Sequence, residues 1–260
     1  MDGERFGALV HVIQQLLGDD GCPWDRAQTP ETMRAFVIEE AFELVEAIDA
    51  GDPDALREEL GDLMMQVVFI GELARARGWF TTDDAIEGIR EKLVRRHPHV
   101  FGDGTARDTK EVLSQWEAIK REEKKGRGLL EGVPKAMPAL LRAVAISEKA
   151  ARVGYDWPDA AAVRAKVTEE LGEMDAATTP AQEEEELGDL LFALASWARK
   201  RSHDPEAALR GTLRRFSERM SVVEAGAASD GVSLDELDAA ELDRRWELAK
   251  RSLSADPAAD

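Results

Sequence analysis

The stretch that decides the fold is EEAFELVEAI at residues 39–48 together with EELGDLMMQVV at residues 58–68. It supplies two acid pairs with a spacing of three residues, Glu40 with Glu43 and Glu59 with Asp62. Apolar residues lie at helical distances around these acids, so the acids face a neighbouring helix and not open water. Because unpaired carboxylates between helices are costly, they must stay protonated, pair with cations or enclose a metal ion.

The arrangement recurs in the second half of the chain. TEELGEMDAA at 168–177 and EEELGDLLFAL at 184–194 supply Glu170, Glu173, Glu186 and Asp189. Because 53 of the 260 residues are acidic, one pair alone is typical of a solvated helix face. Recurrence at offsets of 130 residues from Glu40 and 127 residues from Glu59 indicates instead two copies of one helical module.

Composition favours an all-α fold. Hydrophobic residues make up 43% of the chain and aromatic residues 6%, and the alternating runs typical of strands are hard to find. Glycine and proline cluster between the two copies, at Gly126, Gly128, Gly132, Pro134 and Pro138. Such a cluster is typical of a domain boundary. We therefore predict two tandem helical-bundle modules, residues 1–125 and residues 126–260.

Capping signals place the helix boundaries. Thr29 as N-cap and Pro30 at the first helical position predict the start of the helix that carries Glu40. Asp52 and Pro53 predict the start of the next helix, and so short a link makes the two helices antiparallel neighbours. In the first copy, we predict that the second helix ends near Gly78, that further helices span 5–17, 82–96 and 110–124, and that 97–108 form a loop. In the second copy, we predict a capping box at Thr179 with Gln182 and a cap at Asp204 with Pro205. The last helix should run from Ser233, with Glu236 completing a capping box, to Ser252, and the tail from residue 254 should be disordered.

Charge and cysteine content indicate which binding partners and which cellular compartment are compatible with this chain. A net charge of −19 argues against a nucleic-acid polymer, whose phosphates would be repelled, although small phosphorylated ligands stay compatible. Cys22 is the single cysteine, which favours a cytosolic protein without an intrachain disulfide. The N-terminal segment lacks a signal-peptide pattern, and the most apolar segment, 63–71, is too short to span a bilayer. We expect a cytoplasmic protein with no membrane partner.

The acid pairs indicate which metal ion would suit them. Carboxylates without Cys or His favour Mg²⁺, with Mn²⁺ as an alternative, and disfavour zinc. A di-iron bundle would need a Glu followed three residues later by His. The four histidines of this chain occur in no such motif.

Basic and aromatic residues form a second repeated feature. Lys92 and Arg96 lie one helical turn apart, as do Trp116 and Lys120, so each helix offers a compact basic edge. The corresponding residues of the second copy are Arg215, Arg219, Trp246 and Lys250. Beside a metal ion they could clamp phosphate oxygens and offer a flat face to a base or ribose. The alternative is that the tryptophans are core residues and the cations a solvated face.

These stretches, together with CPWDRAQT at 22–29, KLVRRHPHVFGD at 92–103 and VGYDWP at 153–158, resemble the MazG family of nucleoside triphosphate pyrophosphohydrolases. The resemblance covers nearly the whole chain. It implies an all-α, usually homodimeric protein that uses Mg²⁺ to hydrolyse nucleoside triphosphates to monophosphate and pyrophosphate. In two-module members it implies that the second module is the main catalytic one, whereas the residues themselves do not choose between the copies.

The resemblance also implies roles for single residues. Metal ligands would be Glu40, Glu43, Glu59 and Asp62 in the first module and Glu170, Glu173, Glu186 and Asp189 in the second. The nucleotide would be held by Lys92, Arg96, Trp116 and Lys120 in the first module and by Arg215, Arg219, Trp246 and Lys250 in the second. Arg215 departs from the usual Lys but keeps the charge, and Pro30 departs from the usual His at a position that contacts no proposed ligand.

Glu39 and Glu169, each adjacent to the first ligand of its set, are candidates to assist the attacking water or to hold a second metal ion. The Gly-x-x-x-x-Gly-Lys-Ser/Thr loop that cradles phosphates in γ-phosphate transfer is absent from the sequence. The expected function is therefore nucleoside triphosphate pyrophosphohydrolysis that sanitises or regulates nucleotide pools. Two rivals stay open, a nucleotide-sensing regulator that does not hydrolyse its ligand and a helical scaffold with structural acid clusters.

Overall fold

The computed structural model describes residues 3–123, 126 and 128–254. All regular secondary structure among these residues is helical, which confirms the predicted all-α class. The chain divides into two compact units, unit 1 (Met1–Lys125) and unit 2 (Gly126–Asp260). That the two units are independent copies of one module stays a prediction.

Unit 1 contains seven helices within its described residues. They are α1 (Glu4–Leu17), α2 (Pro23–Arg26), α3 (Arg34–Ala50), α4 (Pro53–Ala76), α5 (Thr82–Arg96), α6 (Pro98–Phe101) and α7 (Thr109–Glu123). Helix α4 packs against α1, α3 and α5, and α5 packs against α7. The longest helix of the unit is thus its centre, and it carries the acid pair Glu59 and Asp62.

The link between α3 and α4 has the predicted chemistry. Gly51 ends α3 with a positive φ of 67°, a conformation that glycine adopts without strain. The Asp52 side chain accepts hydrogen bonds from the backbone N–H groups of Asp54 and Ala55 and so caps α4, with Pro53 at its first position. The two linking residues, Gly51 and Asp52, reverse the direction of the chain, so the acids of α3 and α4 lie on adjoining helices.

The core of unit 1 joins α4 to α1. Ile13 from α1, Met33 before α3, and Val68, Phe69 and Leu73 from α4 form a buried apolar cluster. Burial of a side chain of this size stabilises the fold by about 1.5–3 kcal/mol. The cluster fixes α4 against α1 and so holds the carboxylates of α4 in place.

Unit 2 contains five α-helices within its described residues. They are α8 (Ala139–Ala151), α9 (Ala160–Ala176), α10 (Pro180–Lys200), α11 (Pro205–Ser229) and α12 (Ala239–Ser254). Helices α9 and α10 form the counterpart of the α3–α4 hairpin, and α11 packs against α12. Val163, Leu190, Ala193 and Val223 are among its buried apolar residues.

Caps in unit 2 repeat those of unit 1 with one difference. Asp204 accepts from the backbone N–H groups of Glu206 and Ala207 at the start of α11, as predicted. Thr179 accepts from the backbone N–H of Gln182 at the start of α10. The Gln182 side chain, however, accepts from Thr178 and not from Thr179, so the predicted capping box is displaced by one residue.

The prediction for Thr29 and Pro30 is wrong about where α3 begins. The Thr29 and Thr32 hydroxyls accept from each other's backbone N–H, and the Thr29 carbonyl accepts from Thr32 and Met33. Because these hydrogen bonds satisfy the polar groups of the turn locally, the turn does not continue into helix α3. The helix starts at Arg34 with Met33 as N-cap.

Two further boundaries differ from expectation. The Ser233–Glu236 capping box is present, but it closes a single 3₁₀ turn (Leu234–Glu236), and α12 begins at Ala239 after an extended Leu237. The expected loop at 97–108 contains the short helix α6, which starts at Pro98. The predicted end of α7 at residue 124 lies outside the described residues, as does the predicted tail from residue 255 on. Ser254, which the prediction places in the disordered tail, is the last residue of α12.

Among the described residues, the helices are too polar or too short to cross a membrane.

Candidate metal centres and basic edges

The first candidate centre lies on the α3–α4 hairpin. Glu40 and Glu43 lie one turn apart on α3, and Glu59 lies near the start of α4. One carboxylate oxygen of each residue lies within 4.8 Å of the other two, and we call these three residues the first acid cluster. Glu40 and Glu59 are half-buried, and Glu43 is exposed. The acids on the two helices therefore converge, as their spacing indicates.

Partial burial and mutual repulsion act on this cluster together. Burial raises the pKa of Glu43, and the charges of Glu59 and Glu40 raise it further. Burial also raises the pKa of Glu59, with Asp62 and Glu58 adding to the effect. Within the described part of the chain, no lysine or arginine lies within 4.0 Å of the three carboxylates. A bound cation would relieve this repulsion.

Gln66 of α4 adds a neutral donor to the first acid cluster. Its side chain is 4% exposed, and its Nε2 donates to Glu40 Oε1 over 3.1 Å. Its Oε1 has no hydrogen-bond partner. A half-turn of the amide exchanges the two ends and presents the carbonyl oxygen to a cation beside Glu40. Three carboxylates and an orphaned amide oxygen fit a hard divalent cation, which prefers oxygen ligands.

The second candidate centre lies on the α9–α10 hairpin. One carboxylate oxygen each from Glu170, Glu173 and Glu186 lies within 4.8 Å of the other two, and we call these residues the second acid cluster. Glu170 is buried, Glu186 half-buried and Glu173 exposed. This donor set consists again of oxygen atoms alone and fits the same kind of cation.

Lys166 of α9 stands within the second acid cluster. Its Nζ lies 2.6 Å from Glu170, 2.8 Å from Glu169 and 3.9 Å from Glu173. The hydrogen bond from Lys166 lowers the pKa of Glu170, and the carboxylates raise the pKa of Lys166 itself. Burial still raises the pKa of Glu173 and Glu186. The ammonium group of Lys166 therefore partly neutralises the negative charge of the second acid cluster.

Six of the eight predicted metal ligands belong to these clusters, and two do not. Asp62 and Asp189 lie outside the two groups of three. Their charges nevertheless raise the pKa of Glu59 and Glu186, so each acts electrostatically on a cluster member. Their role as ligands stays a prediction.

The two candidate water-assisting residues are both exposed. Glu39 adjoins the first acid cluster and Glu169 the second in sequence. Glu169 Oε1 accepts a hydrogen bond from Lys166 Nζ over 2.8 Å, so it is engaged with the same ammonium as Glu170. Their part in the chemistry stays a prediction.

The first basic edge, consisting of Lys92, Arg96, Trp116 and Lys120, joins α5 to α7. The Arg96 guanidinium lies 5.4 Å from the centre of the Trp116 ring, and Lys120 Nζ lies 4.4 Å from it. Lys92 lies one turn earlier on α5 and is exposed. Three of the four predicted residues thus meet at one aromatic ring, in cation–π contact.

Glu123 at the end of α7 occupies part of this edge. Its carboxylate accepts from Arg95 Nε over 2.8 Å and from Arg96 Nε over 3.1 Å, with a further contact to the Arg96 guanidinium. These two guanidinium groups lower the pKa of Glu123 to about 2. The cation proposed for phosphate binding is therefore already paired with an anion in unit 1.

The second basic edge, consisting of Arg215, Arg219, Trp246 and Lys250, joins α11 to α12. The Arg219 guanidinium lies 5.7 Å from the Trp246 ring centre, and the Phe216 ring lies 5.1 Å from it. The other two cations bond within their own helices, Arg215 to Thr212 and Lys250 to Glu247. Among the described residues, Arg219 forms no ion pair within 4.0 Å.

Three residues at these sites were not found from the sequence. Lys166 precedes Glu170 by four residues, a spacing that does signal a helical ion pair. Gln66 is visible only as a polar interruption of an apolar segment. Glu123 has no local signal, because its partners lie 27 and 28 residues away on another helix.

Comparison with known proteins agrees with this architecture. Residues 28–101, which include the first acid cluster, match the family model of the MazG nucleotide pyrophosphohydrolase domain. The chain is 45% identical over 250 residues to the nucleoside triphosphate pyrophosphohydrolase/pyrophosphatase MazG of Thermotoga maritima, covering 95% of this chain and 96% of that protein. It is 40% identical over 256 residues to the nucleoside triphosphate pyrophosphohydrolase of Escherichia coli K12, covering 95% and 97%. The chain therefore belongs to the MazG family.

Proposed function

We propose that this chain hydrolyses nucleoside triphosphates to nucleoside monophosphate and pyrophosphate with a divalent cation, Mg²⁺ or alternatively Mn²⁺, and so sanitises or regulates nucleotide pools. The observation that carries the proposal is the pair of acid clusters, each with three carboxylate oxygens within 4.8 Å of one another. Relatives named for this reaction across nearly the whole chain support it. A cytosolic location, expected from the single cysteine, stays a prediction.

The residues divide the work by charge. The acid clusters, with Asp62 and Asp189 completing them, would hold a cation, which would supply positive charge against the departing pyrophosphate. Arg96 and Arg219 supply further positive charge for phosphate oxygens, each beside a tryptophan that offers a flat face to base or ribose. Glu39 and Glu169 are exposed carboxylates adjacent in sequence to the first glutamate of each cluster and are proposed to position the attacking water.

Pyrophosphate release from a panel of nucleoside triphosphates tests this proposal. We expect release that depends on added Mg²⁺, stops with a chelator and is lost in the double variant Glu43→Gln with Glu173→Gln. The matched control replaces exposed acids outside the clusters on the same helices, Glu46→Gln with Asp175→Asn, and should keep its turnover. Nucleotide binding without pyrophosphate release would favour the sensing regulator instead.

We also propose that the chain acts as a homodimer. Leu60, Met64 and Val67 follow one face of α4 at helical spacing and are 50%, 42% and 58% exposed. The corresponding residues of α10, at an offset of 127, are equally apolar and exposed, namely Leu187, Leu191 and Leu194. Repeated apolar stripes on the outside of the acid-bearing hairpins are typical of surfaces that a second copy covers.

Sedimentation of the full chain tests the dimer. We expect a dimer that Met64→Glu with Leu191→Glu converts to monomer, because a charge in an apolar interface is costly. The control changes the net charge by the same two units at exposed residues off the stripes on the same helices, Glu58→Gln with Glu185→Gln. A parent protein that sediments as a monomer at micromolar concentration would contradict the proposal.

A further inference from the structure

One position distinguishes the two acid clusters. Four residues before Glu40 stands Phe36, and four residues before Glu170 stands Lys166. Because residues four apart share a helix face, both side chains lie over the first carboxylate of their cluster. The two units therefore place opposite kinds of side chain, apolar and cationic, at the same point of a repeated site.

In unit 2 the ammonium occupies oxygen atoms that a metal ion would need. Lys166 Nζ lies 2.6 Å from Glu170 Oε1 and 3.9 Å from Glu173 Oε2, and both residues belong to the second acid cluster. Among the described residues, Lys166 is the one cation within 4.0 Å of that cluster. A divalent cation that binds these oxygens must compete with the ammonium, so its binding must overcome an existing ion pair and the repulsion of a nearby positive charge.

In unit 1 the same point is apolar. Phe36 packs against the buried cluster of α1 and α4, and its ring meets Trp24 edge-on with centroids 5.8 Å apart. The carboxylates of the first acid cluster receive instead one hydrogen bond from the neutral amide of Gln66. A divalent cation entering here displaces no charged group, and it gains the full attraction of the three carboxylates.

We propose that Lys166 is a built-in counter-ion that makes the second acid cluster the weaker site for a free divalent cation. The inference rests on the proposed metal sites. Two charges about 4 Å apart near a protein surface interact strongly enough to change an affinity by about tenfold or more. The two clusters of one chain therefore fill at different metal concentrations, unit 1 first.

The probe is Mn²⁺ added to the full chain without nucleotide, with free Mn²⁺ followed by electron paramagnetic resonance. We expect a tighter and a weaker class of site that differ by about tenfold or more. The tighter class should be lost in Glu43→Gln and the weaker one in Glu173→Gln. Equal affinities in these two single-site variants would overturn the inference.

Reciprocal variants then test the residue itself. Lys166→Met in the Glu43→Gln background should tighten Mn²⁺ binding at unit 2 by about tenfold, and Lys166→Arg should not. Phe36→Lys in the Glu173→Gln background should weaken binding at unit 1, and Phe36→Met, which stays apolar, should not. If Lys166→Met fails to fold by circular dichroism, the Phe36 pair decides.

An unchanged affinity in folded Lys166→Met, or in Phe36→Lys relative to Phe36→Met, would overturn the role of Lys166. This readout is independent of hydrolysis. Unequal metal affinities without pyrophosphate release would contradict the proposed function and leave the inference standing. Pyrophosphate release with equal affinities would do the reverse.

Discussion

The two acid clusters share a scaffold and differ in how their charge is compensated. Each lies on an antiparallel helix pair joined by two or three residues, and each brings three glutamates within 4.8 Å. The first is bounded by Phe36 and the amide of Gln66. The second is bounded by Lys166 and, at the position of Gln66, by Ala193. The two units thus have the same helices and glutamates at these positions but differ in the neighbours that set the local charge.

The basic edges also differ in how their charge is compensated, but here unit 1 is the unit with the compensating residue. In unit 1 the carboxylate of Glu123 pairs with Arg95 and Arg96. The position of Glu123 in unit 2, at an offset of 130, holds Leu253. In unit 1, therefore, no described cation pairs with the acid cluster, but the Arg96 guanidinium is paired with Glu123. In unit 2, Lys166 partly neutralises the acid cluster, and Arg219 forms no ion pair among the described residues. We therefore expect the two units to bind metal and nucleotide to different extents.

The largest expected effect concerns which unit turns over substrate. We expect Glu173→Gln to lower pyrophosphate release by about 100-fold and Glu43→Gln by less than about threefold, since loss of one well-placed charge-stabilising group costs this order in rate. The reason is that the Arg96 guanidinium, which we propose to bind phosphate in unit 1, is already paired with Glu123. Steady-state kinetics of the two single variants decide it, and a larger loss in Glu43→Gln would reverse the ranking of the units.

A smaller effect is expected at Gln66. Replacement of this buried amide by leucine should weaken Mn²⁺ binding at the first acid cluster by about tenfold, because groups that orient metal ligands contribute to affinity at this level. Titration in the Glu173→Gln background measures it, with Met65→Leu on the same helix as control. Unchanged affinity in Gln66→Leu would show that the first acid cluster holds its cation without the amide.

At the first basic edge, Glu123→Gln should tighten nucleotide binding to unit 1 by about fivefold, because it frees Arg96 from a charge-assisted pair. Binding of a non-hydrolysable nucleoside triphosphate in the Glu173→Gln background measures this. Glu91→Gln, which removes an exposed carboxylate elsewhere on α5, controls for net charge. An equal gain in both variants would point to general electrostatics and not to the pairing.

The smallest effect is a pH dependence of stability at the same residue. The pKa of Glu123 is lowered from 4.5 to about 2 in the folded chain, so its ionised form stabilises the fold above pH 4.5. That contribution is lost as the pH falls from 4.5 toward 2. Melting curves should show Glu123→Gln less stable than the parent protein near neutral pH, with the difference shrinking below pH 4.5. A difference that grows on acidification would contradict the pairing.

Features that depend on residues close together in the sequence could be predicted from the sequence. The Asp52–Pro53 and Asp204–Pro205 caps, the α-helical class and the convergence of Glu40, Glu43 and Glu59 follow from spacing within one or two helices. The prediction that α3 starts at Thr29 was wrong because an isolated turn that satisfies its own backbone groups uses the same residue types as a helix start. The sequence pattern does not distinguish these two outcomes.

The features that separate the units were harder to predict because they depend on packing. Glu123 meets Arg96 only because α7 lies against α5, and Gln66 meets Glu40 only because α4 lies against α3. Asp62 has the same spacing from Glu59 as Glu43 has from Glu40, yet it lies outside the cluster. Equal spacing along a helix does not make equal distance to the neighbouring helix.

Hydrolysis in ¹⁸O-labelled water tests most directly the claim that these acid clusters hold a cation for expulsion of pyrophosphate. Attack at the α-phosphorus places the label in the nucleoside monophosphate and leaves pyrophosphate unlabelled, which is the result that we predict for the parent protein. The label should disappear from the monophosphate in Glu43→Gln with Glu173→Gln. Label in orthophosphate, with nucleoside diphosphate as the other product, would contradict the account and indicate a γ-phosphatase.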